Sequence, residues 1–324
     1  MGAEAHSGSL PPEIAEDGSW RRRRSAFRNW VTADGSSPFA PESDRYHLYV
    51  ARACPWAHRT LIGRRLMGLE DVIGVSYVDP VRDEDNEGWA FTGGRYQDPI
   101  NGFQYLHEAY IAADPSYAAG VTVPVLWDKQ ERTIVNNESA DILRMLGTVF
   151  APLAGHPAEL YPPHLGDEIN RLNTRIYDNV NDGVYKCGFA TRQQPYARAT
   201  RALFQMLDEL ELRLTDRRFL FGSDPVETDW RLFTTLVRFD AVYHIHFKCS
   251  IRKLVEYKQL WPYARDLYQW PGVAATVDFD EIRAHYYRTH PQINPSGIVA
   301  MLPAGSFDEP HDRHRLTLAH ARGA

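Results

Sequence analysis

Cysteine is scarce: this chain of 324 residues holds three, at positions 54, 187 and 249. An odd number at spacings that match no zinc motif argues against a disulfide framework and for a reducing compartment. Long apolar runs are missing too, so no segment is a candidate to cross a membrane. The opening MGAEAHSG has neither a charged nor an apolar leader region, and after Gly2 it carries His6 where a myristoylation signal has Ser or Thr. The expectation is a cytoplasmic protein. Positive charge is in deficit. At a net charge of -6 there is no basic face for the phosphates of a nucleic acid, and the short run Arg21 to Arg24 reads as a solvated or internally paired arm. Neither internal repeats nor low-complexity tracts interrupt the chain.

What is present is enough apolar material, 44% of the residues, to bury a substantial core at a length that suggests two domains. The most informative stretch is 45 to 69. YHLYV alternates in polarity and is rich in aromatic and β-branched residues, as a short strand should be, and from Trp56 onward Leu61, Ile62, Leu66 and Leu69 recur at helical spacing. Cys54 lies at the junction. Pro55 has no backbone donor to lose at a first helical position, so CPWAHR reads as a helix start with the sulfur beside the free amides of the first turn. Those amides and the helix dipole favour a thiolate, which makes Cys54 a candidate reactive cysteine; the alternative is a packed thiol at a strand end. The motif's fourth position is Ala57 and not a second cysteine. Cys54 must then be resolved by a thiol from outside the chain, for which glutathione is the obvious candidate, or else not cycle at all.

The first 44 residues are polar, with turn formers and scattered rings (Trp20, Phe27, Trp30, Phe39), and read as an extension packed on the main body. After the first strand and helix, DVIGVSYVD reads as a second strand. Residues 80 to 120 break the pattern with Gly and Pro yet carry Trp89, Phe91, Tyr96, Phe103, Tyr105 and Tyr110, so this long loop is expected to wall a pocket. VPVLWD and RTIVN, joined by DKQE, read as an antiparallel hairpin. Pro124 within that strand-like run predicts a sheet edge or a cis bond, leaving backbone near Val123 free to pair with a peptide. Glu138 and Ser139 open a helix, where they can hold a carboxylate and an ammonium group or serve as an ordinary cap. In the second half a Pro and Gly cluster from Ala151 to Pro163 reads as a linker. Ile169, Leu172, Ile176 and Val180, then Leu203, Leu207, Leu210 and Leu214, step at helical spacing, with further helices expected over 230–243, 253–268 and 279–289.

Strand, cysteine at a helix start, strand, long insert, Pro-bearing hairpin and helix make a thioredoxin-like order. CPWAHR, TVPVLWD, NNESADIL, NDGVYKCGFAT, LVRFDAVY, HFKC and INPSGI, in that order, resemble the signature stretches of the Xi-class glutathione transferases, also called glutathionyl-hydroquinone reductases. The resemblance runs from about Trp20 to Pro303. It implies an α/β thioredoxin-like N-terminal domain and an all-α C-terminal domain, divided as extension 1–44, thiol-binding domain 45–150, linker 151–163 and helical domain 164–324 with a C-terminal tail.

For the site, the resemblance implies Cys54 as nucleophile and Tyr185 as acid/base, with Tyr243 and Tyr286 lining the aromatic pocket and helping to lower the cysteine pKa. It implies a glutathione site built from Trp89, the backbone of Gly120, Val121, Thr122, Val123 and Pro124, and the pair Glu138 and Ser139. Typical members are expected to have an arginine just before VTVP; this chain has Gly120 there. Lysine is scarce beside arginine, as in proteins of GC-rich genomes, some of whose bacteria use mycothiol in place of glutathione. The implied reaction removes glutathione from a glutathionyl-hydroquinone through a Cys54 mixed disulfide, without a permanently bound cofactor, in a homodimer. A glutaredoxin-like thioltransferase and a non-catalytic aromatic-ligand binder on the same scaffold are the alternatives. His58 reads as a structural helix residue. His244 and His246 lack the neighbouring carboxylates or cysteines of a metal site.

Overall fold

The computed structural model describes residues 13–82 and 88–321. Gly2 and His6, on which the myristoylation reading turned, lie outside them. The described chain opens with a ribbon of two short strands, β1 (Glu13–Ile14) and β2 (Trp20–Arg21), which the composition of the extension did not announce. The extension then runs along the outer strand of the main sheet: the N–H of Asn29 donates to the carbonyl of Val135, and that of Asn137 to the carbonyl of Phe27. This pairing covers backbone that an open edge would leave unsatisfied. Of the four rings expected to pin the extension, Trp20, Phe27 and Phe39 pack on the body, while Trp30 stays 39% exposed.

The main sheet contains β3 (Tyr46–Val50), β4 (Gly74–Tyr77), β5 (Val125–Asp128) and β6 (Thr133–Asn136) in the spatial order β4-β3-β5-β6. β3 and β4 are parallel and need a crossover, which α1 (Pro55–Leu66) supplies; the other pairs are antiparallel. All five residues of β3 are buried, against the alternation expected of YHLYV, because a central strand has both faces and both edges covered. Its histidine is accommodated by a 2.8 Å hydrogen bond between His47 Nε2 and Ser76 Oγ. At the β5–β6 turn the Asp128 carboxylate accepts the N–H groups of Gln130 and Glu131 and pairs with Arg45 at 2.6 Å. α3 (Ser139–Gly147) packs back on α1 so closely that a methyl group at Gly63 would meet Leu143 Cδ1 at 2.6 Å.

Within the stretch expected to be one long loop, His107–Ala113 forms a helix, α2, too short for its periodicity to show in sequence. Residues 83–87 of that stretch lie outside the described residues. Its rings divide: Trp89 and Tyr117 face the cavity described below, whereas Phe103 packs on Trp127, Phe91 on Tyr49, and Tyr96 donates to Glu281.

From residue 166 onward the regular structure is helical: α4 (Gly166–Ile176), α5 (Gly183–Gly188), α6 (Gln193–Arg213), α7 (Glu227–Arg238), α8 (Leu260–Tyr268), α9 (Phe279–Arg288) and α10 (His314–Ala321). Two wider π turns, Tyr177–Asn181 and Phe239–Tyr243, extend α4 and α7. The helix expected over 253–268 is shorter than its apolar spacing suggested. Carboxylates decide where it starts: Asp240 takes the N–H groups of Leu254 and Val255, and Glu211 takes those of Gln259 and Leu260, so that α8 begins at Leu260. α10 lies in what was read as a tail. α7 is buried along nearly its whole length and packs on α1, joining the helical half to the sheet half. Among the described residues no helix is long and apolar enough to cross a membrane.

Candidate active site

Cys54 caps the N-terminus of α1, where Pro55 starts the helix as its missing N–H allows. The residue is 8% exposed and lies on the wall of a cavity of about 660 Å³. Its Sγ is 3.6 Å from the carbonyl oxygen of Val123, to which the thiol donates. The fall in thiol pKa expected from the helix start is not what this geometry produces. Burial pushes the Cys54 thiol up, and the pull of the Ala57 and Trp56 N–H groups and of the Arg22 and Arg238 charges does not fully offset it.

The Val123–Pro124 peptide is cis. Pro124 does not mark an outer strand: it immediately precedes β5, which is hydrogen-bonded to β3 on one side and β6 on the other. Backbone near it still borders the cavity through Gly120, Val121, Thr122 and Val123. The Thr122 carbonyl accepts the Tyr110 hydroxyl at 2.8 Å and the Gly120 carbonyl accepts the Tyr117 hydroxyl at 2.8 Å, which holds this segment from behind. Around Gly120 there is room: a Cβ built there meets no heavy atom within 4 Å.

Glu138 is the cap residue of α3, accepting the Ala140 N–H at 3.2 Å and the Ser25 hydroxyl at 2.9 Å. Burial raises its carboxyl, but these two bonds and the Arg59 and Arg22 charges more than reverse that, leaving it below the usual carboxylate range. Ser139 accepts from Arg59 at 3.3 Å. Neither side chain is among the residues lining the cavity; their neighbour Asn137 is. Trp89 lines it and stacks on His285, with ring centroids 5.2 Å apart.

The three tyrosines come together, though not as equals. The Tyr185 and Tyr286 hydroxyls are 2.6 Å apart and those of Tyr286 and Tyr243 are 2.9 Å apart, so Tyr286 is the middle of a chain of phenols. Tyr185 and Tyr286 line the cavity with Cys54; Tyr243, expected there too, is fully buried behind Tyr286 because the π turn after α7 points it into the core. Burial and the neighbouring Cys54 push Tyr185 up to about 12, and burial raises Tyr243 and Tyr286 well above the usual phenol range. All three are proton donors at neutral pH. Their hydroxyls bond to one another, not to Sγ, so the expected phenol-to-sulfur donation is not made here.

Several lining residues were missed from sequence. The Arg21–Arg24 run is largely exposed, as a solvated arm would be, but the extension also carries it along the cavity, and the half-buried Arg22 guanidinium lies 4.2 Å over the Trp56 ring. Trp20 donates to Asp182 at 3.0 Å and packs on Phe189 and Tyr185. The juxtaposition WRRRR was the available signal, since a tryptophan beside a basic run is poorly explained by solvation alone. His285, one residue before Tyr286, is held near pKa 3 by burial and is neutral. His58 is buried between Thr276 and Arg238, in keeping with a structural place, and His246 is bonded to His290 at 3.2 Å. Among the described residues no group of three or more His, Cys, Asp or Glu side chains is arranged to hold a metal ion.

A thioredoxin-like sheet with a cysteine at the first helix start, joined to an all-helical half through that same helix, defines the class of the glutathione S-transferases. Residues 53–149 match the family described as glutathione S-transferase, N-terminal domain, and residues 193–266 the one described as glutathione S-transferase, C-terminal domain. Glutathionyl-hydroquinone reductase YqjG of Escherichia coli is 50% identical over 91% of this chain and 92% of its own, and glutathionyl-hydroquinone reductase PcpF of Sphingobium chlorophenolicum is 46% identical over 89% and 90%. Among solved structures, the Xi class enzyme of Natrialba magadii superposes with a TM-score of 0.87 at 48% identity, covering 92% of this chain and 96% of that one. The glutathione-bound structure of YqjG gives 0.85 at 50% identity, covering 92% and 98%. The chain belongs to the Xi class of the glutathione S-transferases, with an α/β thioredoxin-like N-terminal domain and an all-α C-terminal domain.

Proposed function

We propose that the protein is a glutathione-dependent reductase that removes glutathione from glutathionyl-hydroquinones, releasing the hydroquinone and oxidised glutathione. The observation that carries this reading is one thiol, Cys54, on the wall of an aromatic cavity it shares with Tyr185, with alanine where a resolving cysteine would stand. The relatives named for this activity, and the neighbour solved with glutathione bound, support it.

The chemistry balances with two thiols. Tyr185 passes a proton to the sulfur-bearing ring carbon as a ring hydroxyl becomes a carbonyl. The Cys54 thiolate attacks the glutathionyl sulfur; the carbon–sulfur bond breaks, and its electron pair restores the ring as a hydroquinone oxyanion, which takes up a proton. Cys54 is left in a mixed disulfide. A second glutathione thiolate attacks that disulfide, frees oxidised glutathione and regenerates the Cys54 thiolate. The ring gains two electrons and the two glutathiones lose them. Trp89, the backbone of Gly120 to Pro124, and Glu138 with Ser139 are proposed to hold the glutathionyl group. Tyr286 faces the ring, and Tyr243 tunes Tyr286 from behind. In this reading the chain divides into extension 1–44, thiol-binding domain 45–150, linker 151–163 and helical domain 164–324, works in the cytoplasm as a homodimer, and uses glutathione or, given Gly120, mycothiol as its thiol.

The test is intact mass after one turnover. Incubated with a glutathionyl-hydroquinone and no free thiol, the protein is expected to gain one glutathionyl group on Cys54 and release one equivalent of hydroquinone; Cys54→Ser does neither. Release of the ring without an adduct overturns the proposed cycle. Turnover on a simple mixed disulfide but not on the aromatic conjugate makes the protein a thioltransferase. Parallel incubation with oxidised glutathione and with mycothiol disulfide identifies the thiol.

A further inference from the structure

Arg238, the last residue of α7, is fully buried. Its Nε donates to the carbonyl of Ala53 at 2.9 Å and its Nη2 to the carbonyl of Arg52 at 2.7 Å. Its Nη1 donates to Nδ1 of His58 at 3.0 Å and to the carbonyl of Thr234 at 2.8 Å. Two of these acceptors belong to the residues directly before Cys54, and a third lies one helical turn after it. All four are neutral, and among the described residues no carboxylate is within ion-pair distance of this guanidinium. A guanidinium does not give up its proton in a protein, and burying one without a counter-charge is costly.

His58 does not supply that counter-charge. Because arginine only donates, Nδ1 of His58 is an acceptor and its proton sits on Nε2, 2.7 Å from Thr276 Oγ1, whose own hydroxyl goes to the Val273 carbonyl. Burial, aided by Arg238, holds the ring well below its usual pKa, so it is neutral. The other groups facing Cys54 are Arg22 from the extension and Tyr185 from α5; the rest of the Arg21–Arg24 run, Arg82, neutral His285 and His290, and Tyr286 of α9 line the same cavity. Arg22 and Arg238 both favour a negative sulfur. Arg22 is partly exposed and open to screening by salt, whereas Arg238 is sealed from it.

We propose that Arg238 is a positioning residue for the reacting thiol: it braces the turn on both sides of Cys54 from the helical half of the molecule, and its unbalanced charge is matched when the sulfur becomes an anion. This deepens the reading of Cys54 as nucleophile and rests on it only for the consequence in turnover. It also gives the helical half a part in activating a thiol that the sheet half carries.

The experiment compares wild type, Arg238→Lys and Arg238→Met by the pH dependence of Cys54 alkylation with iodoacetamide, followed on the Cys54 peptide, at low and high salt. Arg238→Met is expected to move the midpoint up by about one pH unit, which is ~10-fold slower alkylation at pH 7. The shift persists in high salt, and Arg238→Lys recovers most of it. A midpoint unchanged in Arg238→Met overturns the proposal. Should the variants not fold, the wild type carries the test. Cys54 carboxymethylated with iodoacetate leaves an anion beside Arg238, while carbamidomethylation leaves a neutral group of nearly the same size, so the carboxymethyl form should melt higher in high salt. Equal melting overturns the inference. Loss of aromatic turnover with the alkylation pattern intact sinks the reductase reading and leaves this one standing.

Discussion

Asp229, in the first turn of α7, offers the sharpest stability test, because that helix carries Arg238 at its far end and leads into Tyr243. The carboxylate is completely buried. Oδ1 accepts the Leu220 N–H at 2.9 Å and the Tyr263 hydroxyl at 2.7 Å, and Oδ2 accepts the Val226 N–H at 2.9 Å. Asp229→Ala strands three donors in the core, and a stranded buried donor costs roughly 1–3 kcal/mol. Allowing for partial relaxation, the loss is about 3–5 kcal/mol, or a fall of roughly 4–7 °C in Tm. There is a pH signature as well. Burial raises the Asp229 carboxyl to about 6, well above the ordinary aspartate range, although the three hydrogen bonds oppose the rise. The native state therefore holds this proton more tightly than the unfolded chain, so the contribution to stability is fully present below the unfolded value and is lost as pH rises through about 6. Asp229→Asn cannot ionise. The stability of wild type relative to Asp229→Asn should fall by about 2 kcal/mol between pH 4 and pH 7. Urea titrations at those two pH values, followed by circular dichroism, measure both effects. Asp229→Ala within 1 kcal/mol of wild type, or a wild-type to Asp229→Asn difference that does not change with pH, would show that the carboxylate is not the buried hub its hydrogen bonds make it.

Three further outcomes are expected. Tyr185→Phe should lower kcat by roughly 100-fold with little change in KM, as loss of a general acid does, whereas Tyr243→Phe, whose hydroxyl does not reach the cavity, should cost only a few-fold; equal losses would mean that the phenol chain acts as a unit. Trp20→Ala removes the hydrogen bond to Asp182 and the contact with Phe189, so it should destabilise the attachment of the extension by about 2 kcal/mol and speed tryptic cleavage at Arg21 to Arg24; unchanged cleavage would detach the extension from the site. Gly120→Arg finds open space, so stability should stay within about 0.5 kcal/mol of wild type while glutathione binds more tightly in calorimetry; unchanged affinity would show that a cation at this position is not what the thiol site lacks.

Much of this site was legible in one dimension because its parts are local. A proline after a cysteine, an apolar helical stripe behind it and the absent second cysteine are facts of neighbouring residues, and local backbone chemistry is enough to interpret them. The Glu138 cap was readable for the same reason. What escaped were relations between distant segments. Nothing in CPWAHR says that a guanidinium 185 residues away will hold the carbonyl of Ala53, or that the sulfur will be buried deeply enough for desolvation to outweigh its helix-start amides. Tyr185, Tyr243 and Tyr286 were named together, yet their unequal positions, two on the cavity and one behind, follow from how a π turn aims a side chain.

Sequence alone determined the thiol, its lack of an internal partner, the strand-helix-strand frame around it and the helical character of the second half, because each depends on periodicity or on a neighbour's geometry. Tertiary structure decided where the extension goes, which carboxylates start α8, which phenols see the cavity and which buried charge faces the sulfur. Those outcomes turn on burial and on pairing across the chain, and both are set only when the two halves close on one another.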